Sequence, residues 1–237
     1  MKKFELIAES KINWFGRTLY RIKACIDFTT TSGDEVKAGD LGGFVEKESN
    51  LSHGGKAWVC GDAKVCGDAE VWGDAKVCGD AEVWGNAKVW GDAEVCGDAE
   101  VCGDAKVCGD AKVWGNARVF STEHIFCVTP IGEYANSLTL FRTKHLEIKI
   151  SFEYELYSVE EFKKVIDEWD DTKNRETALA VLEIGQKHID LTPAVDEYEP
   201  CPFCGGEAEY NADSDVVVCT KCGSTAKEEI WNDRCVD

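Results

Sequence analysis

No apolar run in this sequence of 237 residues approaches the 18 that a membrane-spanning helix requires, so none is expected. The opening MKKFELIAES lacks the uninterrupted apolar core of a secretory signal, because Glu5 and Glu9 break it. The chain therefore reads as cytoplasmic, with no membrane partner. Positive charge is scarce: 26 Lys and Arg stand against 45 Asp and Glu, for a net charge of −19. Phosphate backbones would be repelled at long range, which argues against an unaided nucleic-acid binder. No G-x-S-x-G, P-loop or dinucleotide fingerprint is present. A hydrophobic content of 44% rules out a wholly disordered chain.

Cysteine and glycine are abundant instead, at 13 and 22 residues. In a cytoplasmic protein the cysteines are expected to be mostly reduced thiols or metal ligands, and their odd number agrees. Their positions follow a repeat. From Ala57 to Asn116 the chain is ten consecutive copies of A-x-V-x-G-(D/N), and an eleventh starts at Ala117-Arg118-Val119 before Phe120 and Ser121 break it. A strict period of six fits neither a helix, with its stripe at 3.6, nor one long strand, which Gly-Asp would interrupt. It fits a β-solenoid in which each hexamer contributes one short strand and one turn, and stacked coils bury a continuous column of side chains.

The pairs Val59 and Ala63, Val65 and Ala69, and so on to Val113 and Ala117 resemble the left-handed β-helix hexapeptide, with an aliphatic residue followed four positions later by a small one. The resemblance implies a triangular coil of about 18 residues. At strand spacings of about 4.8 Å the regular part is then a stub less than about 20 Å tall. Inward valines put their strand neighbours outside. Residues 18 apart would then form outward rows: Cys60, Cys78, Cys96 and Trp114; Cys66, Trp84, Cys102 and Phe120; Trp72, Trp90 and Cys108. The other outward positions stack as Trp58, Lys76, Glu94, Lys112; as Lys64, Glu82, Glu100, Arg118; and as Glu70, Lys88, Lys106, so that most neighbours carry opposite charges. Apolar rows on a solenoid face point either to an interface or to packing by the chain's own flanks. Trp72, Trp84, Trp90 and Trp114 are the interaction candidates, together with Trp231. Successive cysteines such as Cys60 and Cys78 would also lie within disulfide range.

Residues 1–50 read as an N-terminal β cap. Leu19 to Cys25 alternates, and Val45 and Leu51 already keep the period of six, so irregular coils are expected from about Leu41. The run GDLGGFVEKESNLS followed by hexapeptides resembles the entry segment of repeat proteins of phages, prophages and gut bacteria. Residues 51–121 are the β-helix and 122–192 a ββαα module. In that module Leu146 to Leu156 alternates as one half-buried strand, and Leu138 to Thr143 is expected to pair with it across Lys144-His145. Ser158-Val-Glu-Glu161 is a capping box ahead of an apolar helical stripe, and a second helix is expected over residues 175–188.

Residues 193–237 carry Cys201-Pro-Phe-Cys204 and Cys219-Thr-Lys-Cys222, two C-x2-C knuckles whose spacing points to a four-cysteine structural Zn²⁺ site. A segment this short builds little core of its own, so metal binding would supply much of its folding energy. CPFCGGEAEY, VVVCTKCGS and IWNDR resemble the zinc ribbon of the restriction-alleviation (Lar-like) family. That resemblance implies a role in protecting phage or prophage DNA from host restriction, in the cytoplasm of a bacterial host. From Glu199 to Asp237 nine acidic residues face three basic ones, which favours a protein partner over direct nucleic-acid binding by this module.

Fold resemblance also raises hexapeptide acyltransferases and trimeric zinc carbonic anhydrases, which need one or three histidines at the coils. All ten hexamers lack histidine: His53 precedes them, and His124, His145 and His188 follow. The chain is expected to be mainly β, a short left-handed hexapeptide β-helix with an N-terminal β cap, a ββαα module and a small zinc ribbon. Functionally it reads more as a non-enzymatic scaffold binding a host-defence or phage protein than as an enzyme. An acyltransferase and a self-assembling solenoid, for example a trimer through the β-helix, are the alternatives.

Overall fold

In the computed structural model the described residues are 2–13, 16–193, 208–211, 216–219 and 225–226. Contacts divide the chain into two compact units, Met1–Asp190 and Leu191–Asp237. No described helix is long and apolar enough to cross a membrane.

The first unit starts with an antiparallel pair, β1 (Phe4–Ile12) and β2 (Thr18–Ala24), with Phe4 opposite Ala24 and a register shift between Leu6 and Ser10. A small hairpin, β3 (Phe28–Thr29) and β4 (Glu35–Val36), follows. Strand β5 (Leu41–Val45) is antiparallel to β2 on one side and parallel to the solenoid on the other, with Val45 opposite Val65. It can run so close to the coils because of two glycines. A Cβ on Gly42 would sit 2.6 Å from the Val59 carbonyl oxygen, and one on Gly43 would sit 2.6 Å from that of Ala63.

Eleven two-residue strands then recur every six residues, from β6 (Trp58–Val59) to β16 (Arg118–Val119). They stack in parallel as three sheets. One continues the cap in the order β1-β2-β5-β7-β10-β13-β16, the second is β6-β9-β12-β15 and the third is β8-β11-β14. In each register a valine faces the valine 18 residues on, as in Val65, Val83, Val101 and Val119. The solenoid has about four turns. Every repeat Val and Ala is buried, forming a continuous apolar column inside the prism.

The coil starts earlier than the perfect repeat. Leu51 bridges to Val71, as Val45 does to Val65, so the first coil carries two residues more than the others, inserted before Ala57. Buried Asn50 closes that irregular corner: its Nδ2 donates to the Ala69 carbonyl at 2.8 Å and its Oδ1 accepts from the Lys47 amide at 2.9 Å.

Above the last coil sits an antiparallel sheet of β17 (Ile125–Ile131), β18 (Asn136–Arg142), β19 (Ile148–Phe152) and β20 (Glu155–Tyr157). The β18–β19 hairpin has the expected partners, with Arg142 opposite Ile148. The single strand expected over residues 146–156 is in fact two. Glu153 and Tyr154 take φ of 50° and 65° and reverse the chain, so that Tyr157 pairs back onto Ile150. A two-residue turn leaves the apolar alternation of the sequence intact while exposing Tyr154 and Leu156. Strand β17 is a further addition to the expected ββαα order.

Helix α1 (Val159–Asp167) has the expected capping box: the Glu161 amide donates to Ser158 Oγ at 3.2 Å, and the Ser158 amide donates to Glu161 Oε2 at 2.7 Å. Helix α2 (Thr172–His188) starts three residues before the expected position because Asp171 caps it, accepting from the Asn174 amide at 2.9 Å. Phe162, Ile166, Ala178 and Leu182 pack on Leu138, Leu140, Ile150 and Phe152 as a second core.

The second unit is described as a three-stranded antiparallel sheet, β21 (Ala208–Asn211), β22 (Val216–Cys219) and β23 (Thr225–Ala226), with Ala208 opposite Cys219. Of the four expected zinc ligands only Cys219 falls on described backbone, at the end of β22. Cys201, Cys204 and Cys222 lie outside the described residues, as does Trp231.

Candidate interaction surfaces of the solenoid

A period of 18 residues makes the three outward rows real neighbours, and each row is treated differently by the flanks. On the face built by β7, β10, β13 and β16 the row is covered from within. Cys66 and Cys102 are buried, and Cys66 forms a small core with Leu19 and Phe44 of the cap, against which Trp84 packs. Burial pushes the Cys66 thiol up to about 11, so it stays protonated near neutrality. At the top of this row Phe120 lies under two guanidinium groups, those of Arg118 at 5.1 Å and buried Arg142 at 5.5 Å.

The face built by β6, β9, β12 and β15 is partly strapped. Phe28 of the β3–β4 hairpin meets buried Trp58 edge-on at 5.4 Å, and Asp34 forms an ion pair with Lys76. The hydrogen bond from Lys76 lowers the Asp34 carboxyl to about 2, despite its exposure. Higher on the same face, Cys78 and Cys96 are joined by a disulfide with their Cα atoms 4.7 Å apart. The expectation of a largely reduced cysteine set is thus modified at this pair, because parallel stacking puts identical positions one strand spacing apart. At the top Trp114 is 5.9 Å from the Tyr154 ring, which also sits 3.2 Å from Lys112 Nζ.

The third face, β8, β11 and β14, presents Trp72, Trp90 and Cys108. The two indoles stack in parallel with centroids 5.1 Å apart, and Cys108 is exposed above them. Beside Trp72 lies an open groove of about 630 Å³ lined by Glu48, Ser52, His53 and Glu70.

Charge ladders run alongside these rows. Lys64 pairs with Glu82, and Arg118 Nε lies 3.1 Å from Glu100. Two steps put like charges opposite each other, Glu82 facing Glu100 and Lys88 facing Lys106. Exposed pairs of this kind each contribute well under about 1 kcal/mol, so the ladders tune the stack and the valines hold it.

The four histidines do not converge. His53 lies at the bottom, stacked on Phe4 at 4.3 Å and bonded to Glu48 at 2.8 Å. His124 is buried at the top, accepting the Phe120 amide at 3.1 Å. His188, on α2, meets the Thr122 carbonyl at 3.0 Å, and His145 is exposed in the β18–β19 turn. Among the described residues no three His, Cys, Asp or Glu side chains gather in a way that would hold a metal ion. The interaction candidates therefore separate: Trp84 and Trp114 pack against other parts of the chain, and Trp72 and Trp90 pack on each other. Sequence reasoning grouped all four because their solenoid position is identical, and it had no access to where the flanking segments fold. No family model matches the chain, and no curated protein sequence matches it.

Proposed function

We propose that the chain is a non-enzymatic protein-interaction scaffold, encoded by a phage or prophage and acting against a host defence protein in the bacterial cytoplasm. The observation that carries the interaction reading is the Trp72–Trp90 stack beside an open groove, on a face whose counterparts are filled by the cap and by Tyr154. Stacked indoles offer a large, rigid apolar area, which is the composition of an interface anchor. The counter-defence part rests on the resemblance of residues 201–234 to the restriction-alleviation ribbon, and the left-handed coil on the hexapeptide pattern.

A structural Zn²⁺ on Cys201, Cys204, Cys219 and Cys222 belongs to the same reading. Four thiolates are the donor set that tetrahedral zinc prefers, and Cys219 ends β22 at the edge of a short hairpin, which is compatible with it. The ion would supply folding energy to the second unit and no chemistry.

The test is co-purification of the full chain from host and infected cells, beside a Trp72→Ala/Trp90→Ala variant. A partner retained by the parent and lost by the variant is the expected result. Failure of both to retain a partner, with no effect on restriction, would overturn the reading. Binding of acyl-CoA in calorimetry would replace it with the acyltransferase alternative. Concentration-dependent growth in light scattering would replace it with self-assembly.

A further inference from the structure

The structure assigns to Cys60, Cys78 and Cys96 a thiol–disulfide exchange site, in which a disulfide steps along the solenoid axis from one coil to the next. The three residues hold the same position in three consecutive coils. The residues two places before them, Trp58, Lys76 and Glu94, pair in register from coil to coil. The Cys60 amide donates to the Val77 carbonyl and the Cys78 amide to the Val95 carbonyl, both at 2.9 Å, so the two coil steps are equivalent. One step is closed as the Cys78–Cys96 disulfide, and Cys60 remains a half-buried free thiol one step below it.

Exchange needs an attacking, a central and a leaving sulfur in line, and a column along one axis provides that order. The Cys60 thiolate forms a bond to Cys78 Sγ. The Cys78–Cys96 bond breaks, and its electron pair leaves on Cys96 Sγ as a thiolate, which takes up from water the proton that the Cys60 thiol released to it. One thiol and one disulfide enter and one of each leaves, so no oxidant is consumed. First closure of the column needs one: a low-molecular-weight disulfide takes two electrons from two of the thiols and departs as two thiols.

Cys60 is reachable for this chemistry. It borders a groove of about 380 Å³ under the β3–β4 hairpin, together with Asp34, Trp58, Lys76 and Cys78. Burial raises its pKa, and the Lys76 ammonium works in the opposite direction. The neighbouring face supplies an internal control. Cys66 and Cys102 also share a column, but Trp84 occupies the coil between them, and two strand spacings exceed the roughly 7 Å limit for a disulfide.

The experiment uses the full chain equilibrated in glutathione buffers of graded ratio, quenched in acid, alkylated and mapped by non-reducing peptide mass spectrometry. Cys60–Cys78 and Cys78–Cys96 linked peptides are both expected, mutually exclusive in any one molecule, with no Cys60–Cys96 or Cys66–Cys102 link. Cys96→Ser is expected to form the Cys60–Cys78 link in the buffer that fully oxidises the parent, and Cys78→Ser to form no link in the column. Unchanged β-sheet circular dichroism identifies which variants have folded. A parent that shows only Cys78–Cys96 at every ratio overturns the proposal, as does a folded Cys96→Ser protein in which Cys60 and Cys78 both stay alkylatable.

Discussion

Lys3 Nζ donates to the Ala57 carbonyl oxygen at 2.7 Å from a side chain that is 1% exposed, stoppering the lower end of the solenoid with a primary amine. The first coil leaves carbonyl groups that no coil below can satisfy, and a donor is needed there. Phe4, buried and stacked on His53, completes the seal. Both ends of the stack are covered, since at the top the Lys144 amide reaches the Asn116 carbonyl at 3.0 Å and Ala117 bridges to Thr143. Exposed strand ends invite pairing between chains, and these caps remove that invitation.

Burial lowers the Lys3 ammonium from its ordinary 10.5 to about 8. Between those values the unfolded chain binds more protons than the folded one, so the contribution of this position to stability rises as pH goes from about 8 to 10.5. Below pH 8 both states are protonated and the contribution is flat. Denaturant midpoints measured across this range are expected to rise for the parent relative to Lys3→Met. A parallel pair of curves would show that the amine does not titrate in this way.

Phe141 and Ile125 of the upper sheet both belong to the solenoid's own core, and Phe141 is fully buried. Phe141→Ala is expected to cost about 3–5 kcal/mol in equilibrium unfolding, the range for deleting a buried aromatic ring. Hydrogen exchange of the last coil is expected to accelerate with it. A cost below about 1 kcal/mol would mean that the sheet does not cap the coils.

Gly79 and Gly109 both take positive φ, 70° and 65°, but differ in what lies above them. A Cβ on Gly79 would sit 2.9 Å from the Gly97 amide nitrogen, while one on Gly109 would meet nothing within 4 Å. Gly109→Ala is expected to cost only the backbone strain of about 1–2 kcal/mol. Gly79→Ala adds steric overlap with the next coil and is expected to cost clearly more in the same denaturation experiment.

Metal removal tests the second unit separately from the first. One zinc per chain is expected by elemental analysis, lost together on Cys204→Ser or strong chelation. Near-ultraviolet and hydrogen-exchange signals of residues 2–190 are expected to survive that loss, because the solenoid core uses no metal. Zinc retained at full occupancy in the Cys204→Ser variant would refute the four-cysteine assignment.

The structure of Ala57 to Val119 was legible because one short pattern repeats without change, so each hexamer carries the same constraints. Valine four places before alanine sets which side chains enter the prism, and glycine supplies the corner conformation that other residues resist. With three hexamers to a coil, as the resemblance to the left-handed β-helix implies, the strict period of six then puts residues 18 apart in register. The capping box at Ser158 and Glu161 was legible because it closes within one helical turn. The break at Glu153-Tyr154 was hidden because a two-residue turn preserves alternation on both sides of it.

The sequence by itself thus determined the coil, its buried Val and Ala columns and the membership of each outward row. Only the tertiary structure decided which row is filled by Leu19 and Phe44, which is strapped by the β3–β4 hairpin, and which is left to the Trp72–Trp90 stack. It also decided that Cys78 pairs with Cys96 and that Lys3 fills the open end. The physical reason is range: the repeat's corner and strand follow from sterics over six residues, whereas covering a face depends on flanking segments more than twenty residues away, whose paths no local pattern records.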